Sequence, residues 1–505
     1  MIYLVYNSCS FAHPHFGTQL DDAERLFQEG HDVTFTYCDG ILDSCFMNPK
    51  ANSEICRLCK FGYQHSLSKL SKGIKIVPLK KSKIQDKYVF DYNSIDEIKK
   101  IIYRNVSVGY AILSTYISNT RNPTPIINNK SRKYFDHLIN ETCDLTNLIY
   151  DLIEEIKPDA ISIYNGRFYE NRPFFDIAIS LNLQFVSNEI VGGVVSNELF
   201  YKVSFKNCLP HDIKYNCDSI ENLWNISPEN EEEKIRKGKL FFINRRKGIP
   251  TSDRVFITNQ KKGKLPLNWD SNKKNIVIFN TSEDEFAAVG AEFDQISLFK
   301  TQIEGIEFIL SSMTDVNYHF YLRIHPNLKN ISYNYHTDLY LFANTFSNLT
   351  IIGANEDIST YDIMDAADKV IVFGSTMGIE ACYWGKPVIL LAPSLYYYLD
   401  SCYIPNSGDE LIDLLKMNDL SKKNNQSAIK YGYYVMDRDI LPSKISYFDI
   451  NYNQFVLFGF KINALRYLTL LGSSKLMKFI SIIRFRVLTH LSKNKLDMPD
   501  PLFKD

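Results

Sequence analysis

Several short apolar segments in the second half of the chain end in polar side chains that could bind an anion. Arg323 and His325 close one such segment, and Ser375 and Thr376 close another. Arginine and histidine donate hydrogen bonds to phosphate oxygens, and small hydroxyls at a helix start do the same. Glu380, one helical turn further on, suits a sugar or ribose hydroxyl. These residues predict a site for a phosphorylated sugar compound, although Ser375 and Thr376 could also simply cap a helix.

A third strand end in the same half carries the loop Thr-Ser-Glu-Asp-Glu. In this loop Ser282 could add a hydrogen-bond donor, and Glu283 could place a carboxylate near the sugar. Three polar loops that follow three strands of one parallel sheet meet at the same edge. Their convergence is stronger evidence for a ligand site than any one of the loops alone.

The first half of the chain carries candidates for acid–base chemistry. His15 lies in the exit loop of the first predicted strand, and its ordinary pKa suits a general base. Glu189 closes a later strand and is the second choice, while His13 and Arg167 lie on the side expected to bind an acceptor. Two alternatives stay open: the histidines could be loop residues without a catalytic part, and Arg167 could simply pair with Glu189.

Four cysteines follow the second predicted strand and end in a Cys-x-x-Cys pair: Cys38, Cys45, Cys56 and Cys59. Four thiols in one segment could bind a tetrahedral zinc ion with a structural role. The spacing of the first pair is longer than in common zinc sites. Buried free thiols are therefore the alternative.

The elements that must position these residues follow an α/β pattern. A strand at Ile2–Tyr6, a helix at Thr18–Glu29 and a strand at Asp32–Tyr37 open a doubly wound parallel sheet, whose ligands gather at the carboxyl ends of its strands. A second series of this kind begins at Asn275–Phe279. The predicted fold is therefore α/β, with two Rossmann-like lobes facing a central cleft. The predicted divisions are residues 1–264, 265–435 and a basic helical segment at 436–505.

Composition and charge narrow the classes of partner. The 505 residues include 57 Lys and Arg against 58 Asp and Glu, so no net charge recruits nucleic acid. The N-terminus does not resemble a signal peptide, and no apolar run reaches the ~18 residues of a membrane span, which predicts a cytoplasmic protein. Residues 451–495 carry eight basic and no acidic side chains. This segment could attach peripherally to the inner face of an anionic plasma membrane, or pack on the first lobe.

The run LTIIGANEDISTYDIMDAADKVIVFGSTMGIEACYWGKPVILL, preceded by YLRIHPN, resembles the C-terminal lobe of GT-B glycosyltransferases from bacterial capsule and O-antigen loci. FGTQLDDAERLFQEGHDVTFTYCDG, the four cysteines and YNGRF are similar to the first lobe of the same group. The resemblance implies that the second lobe binds the donor and the first the acceptor. It assigns to donor binding Arg323, His325, Ser375, Thr376 and Glu380, with Ser282 and Glu283 in the neighbouring loop. The sequence departs from the group by having no glycine-rich loop after the first strand of the second lobe, so the resemblance supports Ser282 less than Ser375.

The expected function is transfer of a sugar from a UDP-, GDP- or CMP-linked donor to a growing surface polysaccharide or lipid-linked glycan. No cofactor is expected for catalysis, because fixed donors rather than a metal ion would stabilise the leaving phosphate. Two alternatives stay open. One is a polyol-phosphate transferase of the teichoic-acid kind, and the other is a non-catalytic scaffold of a polysaccharide assembly complex.

Overall fold

The computed structural model describes most of the first 438 residues and three short stretches beyond them. The described residues are 1–10, 15–80, 87–195, 200–249, 251, 255–257, 259–438, 441–443, 454–457 and 460–463. Within them, no helix is both long and apolar enough to cross a membrane.

The first lobe is built on a twisted sheet that is parallel except at one edge. Its strands are β1 (Ile2–Asn7), β2 (Asp32–Tyr37), β3 (Lys75–Pro78), β4 (Ala160–Tyr164), β5 (Gln184–Val195) and β6 (Phe200–Lys206), in the order β6-β5-β4-β1-β2-β3. Its helices are α1 (His15–Gln28), α2 (Ser53–Leu67), α3 (Ile95–Lys99), α4 (Val108–Thr120), α5 (Asn129–Ile156) and α6 (Arg172–Ser180). Only β6 runs antiparallel to its neighbour β5. The strand order reverses between β1 and β4, which is where such sheets bind ligands.

Two helices and a second, fully parallel sheet follow. The helices are α7 (Ile213–Ile226) and α8 (Glu231–Arg246), and the strands are β7 (Lys274–Phe279), β8 (Tyr318–Arg323), β9 (Leu349–Ile352), β10 (Lys369–Val372) and β11 (Val388–Leu390). Their order is β11-β10-β7-β8-β9, so the reversal lies between β7 and β10. The strands are apolar along nearly their whole length because helices cover both faces of the sheet.

The remaining helices of the second lobe are α9 (Ala291–Ile296), α10 (Gln302–Ser312), α11 (Asn334–Thr337), α12 (Phe342–Thr345), α13 (Thr360–Ala366), α14 (Met377–Tyr383), α15 (Gly408–Lys416) and α16 (Gln426–Asp437). Helices α7 and α8, which the sequence division places with the first lobe, share a buried core with the second sheet. Helix α8 crosses α16 so closely that a Cβ on Gly432 would lie 2.4 Å from the carbonyl oxygen of Gly238. This crossing fixes the last turn of α8 beside the second sheet.

After α16 the chain returns to the first lobe. Strand β12 (Leu441–Ser443) pairs antiparallel with β6, and β13 (Gln454–Leu457) pairs with β14 (Phe460–Asn463). These short strands lie in the segment that the sequence predicts to be helical, and the Phe, Val and Ile residues of β13 and β14 favour a strand there. The rest of the predicted basic segment lies outside the described residues, so its attachment to a membrane stays a prediction.

Candidate functional site

A cavity of about 440 Å³ opens at the carboxyl edge of the second sheet, where the strand order reverses. Five of the seven residues predicted to bind the donor line it: Arg323, His325, Ser375, Thr376 and Glu380. Glu285, from the same loop as the other two, also lines it. The main candidates, which follow the carboxyl ends of neighbouring parallel strands, therefore line one cavity.

His325 is held as a neutral hydrogen-bond donor. Its backbone N–H donates to Asn280 Oδ1 at 2.7 Å, and its Nδ1 accepts from the Asn327 N–H at 3.2 Å. Burial, with smaller contributions from the Arg121 and Arg323 charges, lowers the pKa of His325 to about 4. Because Nδ1 is an acceptor and the ring is neutral, the proton lies on Nε2. That N–H can donate to a phosphate oxygen in the cavity.

Glu380 lies at the base of the cavity in an ion pair that the sequence does not reveal. Its Oε1 accepts from Arg245 Nε at 2.9 Å, and its Oε2 accepts from the Tyr361 hydroxyl at 2.5 Å. The Glu380 side chain is 0% exposed and that of Arg245 is 8% exposed. Arg245 Nη2 lies 3.5 Å from the Thr376 hydroxyl, so the pair positions a cation beside the predicted anion site. A contact of Glu380 with a sugar hydroxyl stays a prediction.

The turn that carries Ser375 and Thr376 depends on a glycine. Gly374 has a φ of +82°, and a Cβ there would lie 2.4 Å from the carbonyl oxygen of Pro393. Ser375 Oγ accepts from the Met377 N–H at 3.3 Å, and the Tyr396 hydroxyl donates to the Ser375 carbonyl oxygen. The hydroxyl of Ser375 therefore keeps its own proton available for a ligand.

Arg323 lines the cavity, but its two terminal nitrogen atoms donate hydrogen bonds to backbone carbonyl groups of the protein. Its Nη1 donates to the Gly353 carbonyl at 2.8 Å and its Nη2 to the Glu356 carbonyl at 3.2 Å. The Nε atom is buried and has no hydrogen-bond partner within the part of the chain that the structure describes. Arg323 thus supplies a positive charge near the cavity more than a set of free donors.

Ser282 and Glu283 do not line the cavity. Ser282 is fully buried and bonds Arg121 Nη2 at 2.6 Å and Asp284 Oδ1 at 2.6 Å. Arg121 belongs to the first lobe, and its Nε also binds Asp284 Oδ2 at 2.8 Å. Glu283 accepts from the Gln302 N–H at 3.3 Å, and burial raises the pKa of its carboxyl to about 7. The loop after β7 therefore fastens the two lobes together.

The first-lobe candidates form a second group, in which His15 begins α1 and Arg167 follows β4. Glu189 does not close a strand as predicted, because β5 continues past it to Val195. The His15 ring stacks on Tyr164 with centroids 3.8 Å apart, and burial lowers the pKa of His15 to about 4. Glu189 accepts from Asn165 Nδ2 at 2.6 Å, and burial raises the pKa of Glu189. Arg167 donates to the Ser118 hydroxyl at 2.9 Å and to the Glu285 carbonyl at 3.1 Å. Arg167 thus reaches the donor loop of the other lobe.

Sequence reasoning missed a further histidine of this group. Burial, and the Arg167 charge to a smaller extent, lower the pKa of His211 to about 3. The Nδ1 atoms of His15 and His211 are both buried without a hydrogen-bond partner among the described residues. His13 lies outside the described residues.

The cysteines lie elsewhere in the first lobe. The four predicted cysteines surround a small cavity that Cys9 also lines. Among the described residues, no group of three or more His, Cys, Asp or Glu side chains is placed so that it could hold a metal ion, and the zinc site stays a prediction.

No protein-family model and no curated protein matches this chain. It is similar to the solved structure of Thermosulfurimonas dismutans KpsC, beta Kdo 2,7 transferase, with 14% identity, 60% of this chain and 88% of that chain covered, and a TM-score of 0.33. The sucrose-phosphate synthase of Thermosynechococcus elongatus shares 12% identity over 86% of this chain and 95% of its own, with a TM-score of 0.30. Methanocaldococcus jannaschii UDP-GlcNAc 2-epimerase, in complex with UDP-GlcNAc and UDP, shares 11% identity over 85% and 98%, with a TM-score of 0.26.

Likenesses of this size supply no argument about function. The chain's own topology is decisive for the fold, because two Rossmann-like sheets each reverse their strand order beside a cleft. The architecture is GT-B. The predicted fold class is therefore confirmed, and function has to be argued from the site.

Proposed function

We propose that the protein is a glycosyltransferase that binds the diphosphate or monophosphate of a nucleotide sugar in the second-lobe cavity. The observation that supports this proposal is the convergence of His325, Ser375, Thr376 and Arg245 on one cavity at the switch point of the sheet. Neutral donors and a held cation are what a leaving phosphate needs as its negative charge develops. The acceptor would be a surface polysaccharide or a lipid-linked glycan bound by the first lobe.

In the proposed reaction, a hydroxyl of the acceptor attacks the anomeric carbon of the donor sugar while the bond to the nucleotide phosphate breaks. The His325 Nε2–H and the Ser375 and Thr376 hydroxyls donate to the departing phosphate. His15 takes the proton of the attacking hydroxyl, and Glu189 is the alternative base. Because Arg245 and these donors provide the charge stabilisation, we propose that omitting added divalent metal leaves the transfer rate unchanged.

Nucleotide binding is the first expected result. A UDP, GDP, CMP or CDP compound at ~100 times its dissociation constant should stabilise the protein by about 2.7 kcal/mol, because it binds only the folded state. A thermal-shift series over these compounds measures this effect and identifies the base. If none of them raises the melting temperature, the proposal of a glycosyltransferase fails, and the alternative of a non-catalytic scaffold is favoured. Product analysis distinguishes the other alternative, since a phosphate retained in the product would reassign the protein as a polyol-phosphate transferase.

His15 carries a prediction about pH. With its pKa lowered to about 4, His15 is already in the base form at neutral pH. We therefore expect kcat/KM to stay flat from pH 8 to pH 5.5, whereas a base with the ordinary histidine pKa of about 6.5 would lose about tenfold by pH 5.5. His15→Gln should lower kcat by about 10²-fold without weakening nucleotide binding. Unchanged turnover in that variant would assign the base to Glu189.

A further inference from the structure

Five cysteines from separate elements surround one small cavity in the first lobe. Cys9 follows β1, Cys38 follows β2, Cys45 lies in the next loop, and Cys56 and Cys59 lie on α2. The cavity measures about 20 Å³. Because β1 and β2 are parallel neighbours, the residues that follow them meet at one edge of the sheet. The fold thus adds a thiol, Cys9, to the four that the sequence groups together.

Two of the sulfur atoms lie at the separation expected for two ligands of one ion. Cys9 Sγ and Cys59 Sγ lie 3.8 Å apart, and the Cys9 thiol is also hydrogen-bonded to Cys45. A tetrahedral zinc with Zn–S bonds of about 2.3 Å holds its sulfur atoms about 3.8 Å from each other. The Cys9–Cys59 distance is therefore already that of two ligands of one zinc ion.

Backbone and side-chain donors surround these sulfurs as they do in thiolate metal sites. The Ser10 N–H donates to Cys59 Sγ at 3.3 Å, and the N–H groups of Gly40 and Leu42 donate to Cys38. The Ser10 hydroxyl lies 3.4 Å from the same sulfur and donates to the Cys59 carbonyl oxygen at 2.8 Å. Such outer donors orient the ligands and offset their charge. Cys56 also accepts a hydrogen bond, from Asn48 Nδ2 at 3.2 Å, but it differs from the other four cysteines because it is only partly buried.

We propose that Cys9, Cys38, Cys45 and Cys59 bind one zinc ion, with Cys56 beside the site and not a ligand. Each of the four thiols gives up its proton on binding, so four protons are released and the site carries a net charge of minus two. The thiols must rotate toward the cavity for this, since no three of them are placed to hold a metal ion in the described part of the structure. A cavity of about 20 Å³ has room for one ion, as about one water-sized sphere fills it, and not for an iron–sulfur cluster.

Metal analysis of the purified full-length protein, prepared without chelators, tests the proposal. We expect one zinc per chain in the wild type, in Cys56→Ser and in Cys143→Ser, which changes a buried cysteine of α5 that does not line the cavity. Cys9→Ser should lose the zinc. Less than half a zinc per wild-type chain would overturn the site, and iron with inorganic sulfide would overturn the single ion. Zinc that is lost from Cys56→Ser but kept by Cys9→Ser would overturn the ligand set.

A second measurement covers the case in which Cys9→Ser does not fold. Stepwise blocking of the wild-type thiols with a mercurial should release the zinc to a metal-sensitive dye, and Co²⁺ added to the metal-free chain should give the visible bands of a tetrahedral thiolate site. Co²⁺ bands of an octahedral site would contradict the proposal. Neither measurement depends on nucleotide binding, so its failure would leave the proposed function in place.

Discussion

Glu380→Ala is expected to lower the free energy of unfolding by about 3–5 kcal/mol, because it removes the carboxylate that faces a buried arginine. Arg245 is 8% exposed and Glu380 is fully buried, so solvent cannot replace the lost charge. Tyr361 also loses the acceptor of its hydroxyl. Urea unfolding followed by circular dichroism measures the change.

Glu221→Ala is the matched control for this variant. Glu221 also pairs with a basic residue, Lys430 at 2.6 Å, but its side chain is 40% exposed. An exposed ion pair contributes about 0–1 kcal/mol, so this variant should unfold almost like the wild type. Equal effects of the two substitutions would contradict the buried-pair argument. Glu380→Gln separates charge from shape, because it keeps an acceptor for Tyr361 and deletes the charge.

The second large effect is expected in catalysis. His325→Ala should lower kcat by about 10²–10³-fold, because it removes one fixed donor to the leaving phosphate. The donor is the Nε2–H, which stays in place at neutral pH since burial lowers the pKa of His325 to about 4. Release of nucleotide from the donor identified by thermal shift measures kcat. Glutamine carries an N–H donor, so His325→Gln should recover part of the loss.

His319→Ala provides the control for this prediction. His319 lies on the same strand, β8, but its Nε2 is 2.8 Å from the Thr350 hydroxyl and it does not line the cavity. Its replacement should cost stability and leave kcat unchanged at temperatures where the variant is folded. A His325→Ala enzyme with wild-type turnover would move the leaving-group contacts to Ser375 and Thr376 alone.

The sequence predicts the site where local rules apply. His325, Ser375 and Thr376 each follow a short apolar strand, and the carboxyl ends of parallel strands meet. Arg245 could not be predicted, because it stands on a helix 135 residues before its partner Glu380 and no local pattern joins them. Ser282 was expected in the cavity for its residue type, but the partner that turns it away, Arg121, comes from the other lobe.

Two further differences between the prediction and the structure have a signal in the sequence. The apolar pattern of the sequence predicts one helix over Gln295–Ser311, whereas the structure has two separate helices, α9 and α10. Thr301 begins α10, and its side chain accepts from the Glu304 N–H, so Thr-Gln-Ile-Glu is a helix-start signature inside the predicted helix. Cys9 stands outside the predicted cysteine group, which begins at Cys38. Its position after a strand that neighbours β2 would have placed it beside Cys38.

Glu285, in the loop after β7, lines the second-lobe cavity. Two arginines of the first lobe form hydrogen bonds with the same loop. Arg121 binds Asp284 and Ser282, and Arg167 binds the Glu285 carbonyl. A displacement of this loop on donor binding would strain the hydrogen bond from Arg167 to the Glu285 carbonyl, and Arg167 lies beside the proposed acceptor residues. Linkage requires that the two ligands then change each other's affinity by the same factor. The mutual effect of donor and acceptor on each other's affinity would then depend on the contacts of Arg121 and Arg167 with this loop.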